Sequence, residues 1–525
     1  MAFVLNASPL LRTAVPRLSK EFFTCRQCFR AAAPLKRMPF GKFAKPPFFQ
    51  ASRWNSSQAI PKKSEKSPLD SLSRTIGAKE ARQAAGSKAS KSFFPEVSDK
   101  SVAYWLLGSA ASVFGIVIFG GLTRLTESGL SITEWKPVAG SLPPMSTEDW
   151  ESEFEKYKAT PEFAMLNSRI TLEEFKKIYY MEWIHRIWGR FIGLSFVIPG
   201  AYFVARRRVS TRMAWRILGI SGLIGFQGFV GWWMVASGLK KHLFAPGSHP
   251  RVSQYRLTAH LAAALATFTA MLWNGLIILR TRRFLADPAK AVNILKAMVN
   301  PKLKFFKKST AAFAILTFAT IMSGGFVAGL DAGLIYNEFP MMGLGLTPPL
   351  DELFTDFYCQ RGDKKDLWWR NLFENPSLVQ LEHRILGTST FTAAIALFAY
   401  ARYNPLGRGL LPASAMRGVH GVVGFAVLQF TLGLLTLLYM VPIPLASLHQ
   451  ANSMLLFTWS LVLGSRVWFP SKAAALVAKR MIQIEKQSAM NSHFSAQTVR
   501  NFGTLATRTR TMPARLSVGR ISSKA

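Results

Sequence analysis

Residues 102–121 read VAYWLLGSAASVFGIVIFGG, twenty positions without a charged side chain. At about 1.5 Å rise per residue, a helix of that length matches a hydrocarbon layer about 30 Å thick, so the stretch is predicted to span a membrane. Seven more stretches share its character, at about 184–205, 217–235, 257–279, 310–330, 385–401, 419–440 and 445–467. The sixth reaches membrane length only if the turn bearing Glu382, His383 and Arg384 belongs to it. The expected fold is an all-α membrane protein with eight transmembrane helices.

Composition agrees. A chain of 525 residues is too long for one ordinary core, 49% apolar residues exclude a disordered polymer, and 18% charged residues fall below the roughly 25% usual in soluble proteins. The formal net charge of +37 is concentrated at the ends and in loops of one parity. The first 60 residues carry ten Lys or Arg against Glu21 alone and no secretory apolar run, which is the composition of a mitochondrial presequence. The loops 206–216, 280–309 and 402–417 hold seventeen basic residues and Asp287, whereas those on the other side hold fifteen basic and twenty acidic residues. By the positive-inside rule the basic loops and both termini face the matrix, which places the chain in the inner mitochondrial membrane. The tail, 471–525, adds ten basic residues against Glu485. Targeting, topology and contact with the lipid bilayer account for the charge, and nucleic-acid binding is not needed. Three cysteines, Cys25, Cys28 and Cys359, make no disulfide framework, and the Cys25/Cys28 pair falls in the segment expected to be removed.

The chain also repeats. GGLTRLTESGL from Gly120 is echoed by GGFVAGLDAGL from Gly324; Gln227 and Gly231 return as Gln429 and Gly433; His185-Arg186-Ile187 returns as His383-Arg384-Ile385; His260 returns as His449. The offsets are 189 to 204 residues, so a four-helix unit occurs twice, in the same orientation across the membrane because each copy has an even number of spans. The expected organisation is a presequence at 1–60, a disordered matrix lead-in at 61–100, a first four-helix bundle at 101–280, a basic matrix linker at 281–309, a pseudo-symmetric second bundle at 310–470 and a basic matrix tail at 471–525.

Four of the eight histidines, His185, His260, His383 and His449, fall at matching places near the outer ends of spans two, four, six and eight. A lone histidine near a helix end can snorkel or bond a carbonyl, but a duplicated set suits iron: two helices can each offer an imidazole nitrogen to opposite faces of a flat macrocycle. Gly189, Gly193, Ala262–Ala264, Gly387 and Ala451 would leave room for a porphyrin or serve close helix packing. The units differ at Glu182, three residues before His185, which is replaced by Gln380 before His383. A carboxylate beside an apolar pocket can take a proton or stabilise positive charge as a C–H bond is oxidised; alternatively it is a first-turn acid favoured by the helix dipole. Arg186 and Arg384 are candidates for propionate contacts or for anchoring helix ends, and Glu382 for pairing with Arg384.

Glu182-Trp-Ile-His185-Arg186, His260, His383-Arg384-Ile385 and His449, set in eight repeated spans over about 101–470, resemble the mitochondrial branch of the haem A synthase family. The resemblance implies an oxidoreductase that converts the C8 methyl of haem O to the formyl group of haem A for cytochrome c oxidase assembly, through an alcohol and a hydrate that loses water. It implies that His185 and His260 take haem O, that His383 and His449 hold a haem b cofactor, and that Glu182 is the catalytic acid. Implied partners are the haem O substrate, the haem A product, an electron-transfer protein, the haem O-producing enzyme, oxidase assembly factors and a second copy of the chain. Many bacterial members carry a cysteine pair in outer loops; here only Cys359 lies in one. A bis-histidine di-haem electron-transfer protein would use the same four histidines and need no acid. A transporter would place its binding groups nearer the midplane, and a prenyltransferase would need Asp-rich clusters that the spans lack.

Overall fold

The computed structural model describes residues 93–509 apart from 137–140, 246–248, 405–408 and 410, with side chains described through residue 492. The predicted presequence, Cys25, Cys28 and most of the predicted lead-in lie outside the described residues.

Twelve helices carry the architecture: α1 (Lys100–Leu125), α2 (Thr147–Lys158), α3 (Leu172–Ala205), α4 (Thr211–Gly238), α5 (Gln254–Ala286), α6 (Pro288–Val299), α7 (Lys304–Leu330), α8 (Leu367–Glu374), α9 (Pro376–Tyr403), α10 (Ala413–Leu438), α11 (Ile443–Val467) and α12 (Ser471–Thr509). Among the described residues there is no strand. Seven helices, α1, α3, α4, α5, α7, α9 and α10, are long and apolar enough to cross a membrane. The eighth predicted span also forms a helix, α11, whose 25 residues are long enough at about 1.5 Å each. It is less apolar because its polar side chains serve neighbouring helices: Gln450 Nε2 donates to the Val117 carbonyl of α1 at 2.9 Å, and Asn452 Nδ2 to the Phe425 carbonyl of α10 at 3.0 Å.

The helices pack in two rings. In the first, α1 touches α3, α3 touches α4, α4 touches α5, and α5 returns to α1; in the second, α7, α9, α10 and α11 close in the same cyclic order. The last helix of each ring packs on the first helix of the other, α5 on α7 and α11 on α1, and α5 meets α11 between them. Phe318, Ile321, Met454 and Phe457 of the second ring therefore join the apolar core of the first. Large apolar side chains such as Phe191, Leu194, Ile198, Trp215 and Leu218 are exposed on the outside, where lipid chains would meet them.

Two helices start earlier than their apolar runs predict. A reciprocal cap between Thr171 and Glu174 starts α3 at Leu172, and Asn375 caps α9 with Pro376 in its first turn. His185 and His383 thus sit within helices rather than at their ends. The extra turns of α3 bury Phe175 and Tyr179 against Trp150, Phe154 and Tyr157, forming an aromatic cap over the first ring.

At the opposite end, residues expected to be disordered are tied down. Arg282 donates to the carbonyls of Ser98 at 2.9 Å and Val97 at 3.0 Å and pairs with Asp99 at 2.9 Å, which fixes the chain just before α1. The expected linker at 281–309 is largely helical, running from the end of α5 through α6 into the start of α7, and Leu295 and Met298 of α6 pack with Phe284 and with Val477 of α12.

Candidate functional site

Each of the four histidines is seated against a glycine of the preceding helix in its ring. A Cβ on Gly120 would lie 2.8 Å from His185 Cε1, on Gly231 3.0 Å from His260 Cε1, on Gly324 3.2 Å from His383 Cε1, and on Gly433 2.7 Å from His449 Cε1. Carbon atoms in contact stand about 3.5–4.0 Å apart, so only glycine leaves space for the rings. Alternating helix direction puts the C-terminal ends of α1, α4, α7 and α10 beside the N-terminal halves of α3, α5, α9 and α11. All four histidines therefore gather at one end of the molecule, away from the basic segments around Arg282 and α6.

In the second ring the His383 and His449 ring centroids are 6.4 Å apart, with planes inclined at 82°. Two metal–nitrogen bonds of about 2 Å each, plus about 1.1 Å from each nitrogen to its ring centre, place two axial imidazoles about 6 Å apart. The separation of the two rings therefore matches that of two imidazoles sharing a metal. Among the described residues no group of three or more His, Cys, Asp or Glu could hold a bare ion, so a metal here would need in-plane ligands from a macrocycle. Two buried polar atoms in the first ring, His185 Nδ1 and Gln227 Oε1, lack hydrogen-bond partners, as a site built for a guest would leave them.

The polar surroundings of the histidines follow from the repeat only in part. Gln227 Nε2 stands 3.1 Å from His260 Nδ1, and Gln429 Nε2 stands 3.2 Å from His449 Nδ1. Gln429 Oε1 accepts from Asn452 at 2.8 Å. Ser323 Oγ lies 2.8 Å from His383 Nδ1, whereas the matching position before Gly120 is Phe119, whose ring lies nearly parallel to that of His185 at 6.4 Å.

Glu182 is 3% exposed and accepts four hydrogen bonds. Ser131 Oγ at 2.7 Å and the Ile132 amide at 2.8 Å reach Oε2, while Arg186 Nε at 3.0 Å and a terminal guanidinium nitrogen at 2.6 Å reach Oε1. The Ile132 amide and the Arg186 guanidinium nitrogens can only donate, whereas the Ser131 hydroxyl can also accept, and together these contacts fix the side chain in place. Arg186 also donates to the carbonyls of Ile132 and Glu134, latching the loop after α1 onto α3. In the second ring Gln380 and Arg384 both donate to the Tyr336 carbonyl at 2.9 Å, and Arg384 also donates to the Met341 carbonyl. Gln380 Oε1 and Arg384 Nε remain buried without partners, where the first ring has its Glu182–Arg186 bond. Among the described residues Glu382 makes no ion pair with Arg384, whose guanidinium turns to the loop carbonyls instead.

The cap over the first ring holds a group that the sequence analysis missed. Glu162, in the short helical turn Pro161–Met165, is 4% exposed with one oxygen lacking a partner. Burial, reinforced by the charges of Glu182 and Glu127, pushes its carboxyl up to about 8. No spacing or motif marks it, because an acid in an acidic loop reads as solvated. Nearby, a cavity of about 370 Å³ lined by Lys136, Lys156, Tyr179, Trp183, Arg186 and Arg190 among others opens above the His185 end of α3.

The COX15-CtaA family model, described as cytochrome oxidase assembly protein, matches residues 103–461. The chain is 52% identical over 372 residues to "Heme A synthase COX15" of Saccharomyces cerevisiae, covering 71% of this chain and 76% of that protein. It is 43% identical over 368 residues to "Heme A synthase COX15" of Homo sapiens, covering 70% and 82%. A "Heme A synthase-mitochondrial ferredoxin fusion protein" of Schizosaccharomyces pombe is 50% identical over 376 residues, covering 71% of this chain and 61% of the fusion.

Proposed function

Because the chain belongs to the COX15-CtaA family of cytochrome oxidase assembly proteins, we infer that it is a haem A synthase, an oxidoreductase that converts the C8 methyl group of haem O to the formyl group of haem A. The finer assignment that follows is proposed on the geometry above. The two rings are copies of one four-helix bundle, related by an axis along the membrane normal, with α11 as an eighth span. Their identical cyclic packing and reciprocal first-to-last contacts support this. The membrane is the mitochondrial inner membrane with the basic end in the matrix, as the loop charges and the mitochondrial relatives suggest.

His185 and His260 take haem O, and His383 and His449 hold haem b. The observation that carries this is the set of four glycine-seated histidines at one end of the molecule, with the His383–His449 separation suited to a six-coordinate iron. Haem b held by the second pair would supply one-electron redox chemistry beside the substrate ring. The protein's part is to exclude water with the two cores and the aromatic cap, and His185, His260, His383 and His449 would hold the macrocycles. Glu182 brings a carboxyl group, paired with Arg186, one helical turn from His185, where it takes a proton or favours a transition state that gains positive charge as the methyl group is oxidised. Gln380 supplies no such group, which is why the first ring is assigned as the reactive one. Arg186 and Arg384 are spent on loop carbonyls, so their proposed service to propionates is indirect, through the loops they latch. Electrons are exchanged with a separate carrier, and the fusion relative supports a partner of that kind.

Glu182→Gln should keep the bound haem spectrum while lowering haem A output at least about tenfold, and His383→Ala should lose the tightly held haem b and its Soret band. Normal haem A output from Glu182→Gln would remove the carboxylate's role, and a Soret band retained by His383→Ala would remove the cofactor assignment.

A further inference from the structure

The two rings share their ligands and glycine seats but differ in what stands behind the imidazoles. Ser323 Oγ lies 2.8 Å from the Thr320 carbonyl and 2.8 Å from His383 Nδ1. A carbonyl can only accept, so the single hydroxyl proton goes to Thr320, and the hydroxyl lone pair faces Nδ1. Nδ1 must then carry the ring proton, which leaves the Nε2 lone pair bare for a metal. On the other ring Asn452 binds Gln429 Oε1 at 2.8 Å and the Phe425 carbonyl at 3.0 Å, which pins the Gln429 amide nitrogen against His449, 3.2 Å from Nδ1 and 3.3 Å from Nε2.

The first ring has neither brace. Phe119 replaces Ser323 and leaves His185 Nδ1 buried without a partner. Ala263 stands at the repeat position of Asn452, so Gln227 is held only through its Nε2 bond to the His260 carbonyl at 3.0 Å, with Oε1 unpartnered. Ligands whose second nitrogen is hydrogen-bonded are fixed in tautomer and orientation and bind metal more tightly, typically by about 10- to 100-fold.

We propose that Ser323 and Asn452 are positioning residues that make the His383/His449 clamp a retaining site, and that Phe119 and Ala263 make the His185/His260 clamp a releasing one. This rests on the assignment of resident haem to the second ring and substrate to the first, and it supplies a physical reason for that division. A substrate site must let its product go, so loosely braced rings suit it; a cofactor site gains from the opposite.

The test is transfer of haem b from the full-length purified protein, loaded at both sites, to excess apomyoglobin, followed in the Soret region. Two phases are expected in the unaltered protein. Ser323→Ala should accelerate the slow phase about 10- to 100-fold, Ser323→Thr, which keeps the hydroxyl, should stay near the unaltered rate, and Asn452→Ala should also accelerate it. Phe119→Ser should slow the fast phase. An unchanged slow phase in both Ser323→Ala and Asn452→Ala would overturn the proposal. His383→Ala separates the two levels: it should abolish the slow phase, and a slow phase that survives would overturn the underlying site assignment instead.

Discussion

Gly433→Ala tests the glycine seats without weakening the helix. A Cβ at this position in α10 would stand 2.7 Å from His449 Cε1, about 0.8 Å inside the shortest comfortable carbon–carbon contact. The ring has to retreat by most of that distance, whereas metal–ligand distances tolerate only about 0.2 Å. Alanine also has the higher helix propensity, by up to about 1 kcal/mol, so α10 itself should not be weakened. The expected result is loss of most of the haem held by the second ring, read as the haem-to-protein ratio from a pyridine haemochrome spectrum, with helicity by circular dichroism unchanged. Gly424→Ala, on the same helix with nothing within 4 Å of the added carbon, is the control and should keep its haem. Gly324→Ala, at 3.2 Å from His383 Cε1, should fall between them. If Gly433→Ala retains as much haem as Gly424→Ala, the seat is not what positions the imidazole, and the argument from the four glycines fails.

Glu162 should make stability fall as pH rises. Its folded value of about 8 lies above the ordinary 4.5, so the unfolded chain loses its proton first and the folded state is penalised progressively from about pH 4.5 to 8. Glu162→Gln should flatten that slope, and thermal unfolding at pH 6 and 8 checks it; an unchanged slope would refute the buried acid. Asp331 pairs with Arg124 at 2.8 Å and Arg251 at 3.0 Å, joining α7 to the first ring. Asp331→Asn suits the same left-handed backbone (φ 52°) and removes the charge and one of the two acceptors, so it should cost about 1 kcal/mol per pair, with the loss shrinking in high salt when unfolding is repeated at two ionic strengths. Gln380→Glu should raise the unfolding temperature, because Arg384 Nε is buried without a partner where Arg186 Nε has Glu182. A lower unfolding temperature would show that burying the new charge outweighs the bond it gains.

What could be read from the sequence and what could not divide along physical lines. Histidines inside apolar runs stand out because they are costly there, and a repeat makes each copy evidence for the other, so His185, His260, His383 and His449 were visible, as was the Glu182/Gln380 difference. Glycines were visible as small residues, but their task depends on which helix faces which, and only the structure brings Gly231 to His260 and Gly433 to His449. Helix starts were misplaced because α3 and α9 begin with caps and amphipathic turns lying outside the apolar runs. The partners of Arg186 and Arg384 are hidden from the sequence for a related reason: they are loop carbonyls, which carry no sequence signature. α11 was counted as a span although its polar side chains make it less apolar than the other seven, and the structure accounts for those side chains by the helices they bind.

Duplication also constrains how the two halves can differ. The glycine seats and the glutamines beside His260 and His449 are common to both rings, so the gripping geometry is held fixed. The departures lie around the ligands rather than at them: Phe119 for Ser323, Ala263 for Asn452 and Glu182 for Gln380. One concerns the partner of the second helix's histidine, one the side chain behind the fourth helix's glutamine contact, and one the carboxylate a helical turn before the second helix's histidine. Changing a ligand would abolish a clamp, whereas changing its backing alters how firmly it holds and what charge it presents. On the proposed assignment, a pair of similar clamps becomes a holder and a reactor through a few neighbouring substitutions. On this argument, installing Ser at 119 and Asn at 263 should make the first ring retain haem without making the second ring reactive, because the charge of Glu182 is a separate acquisition.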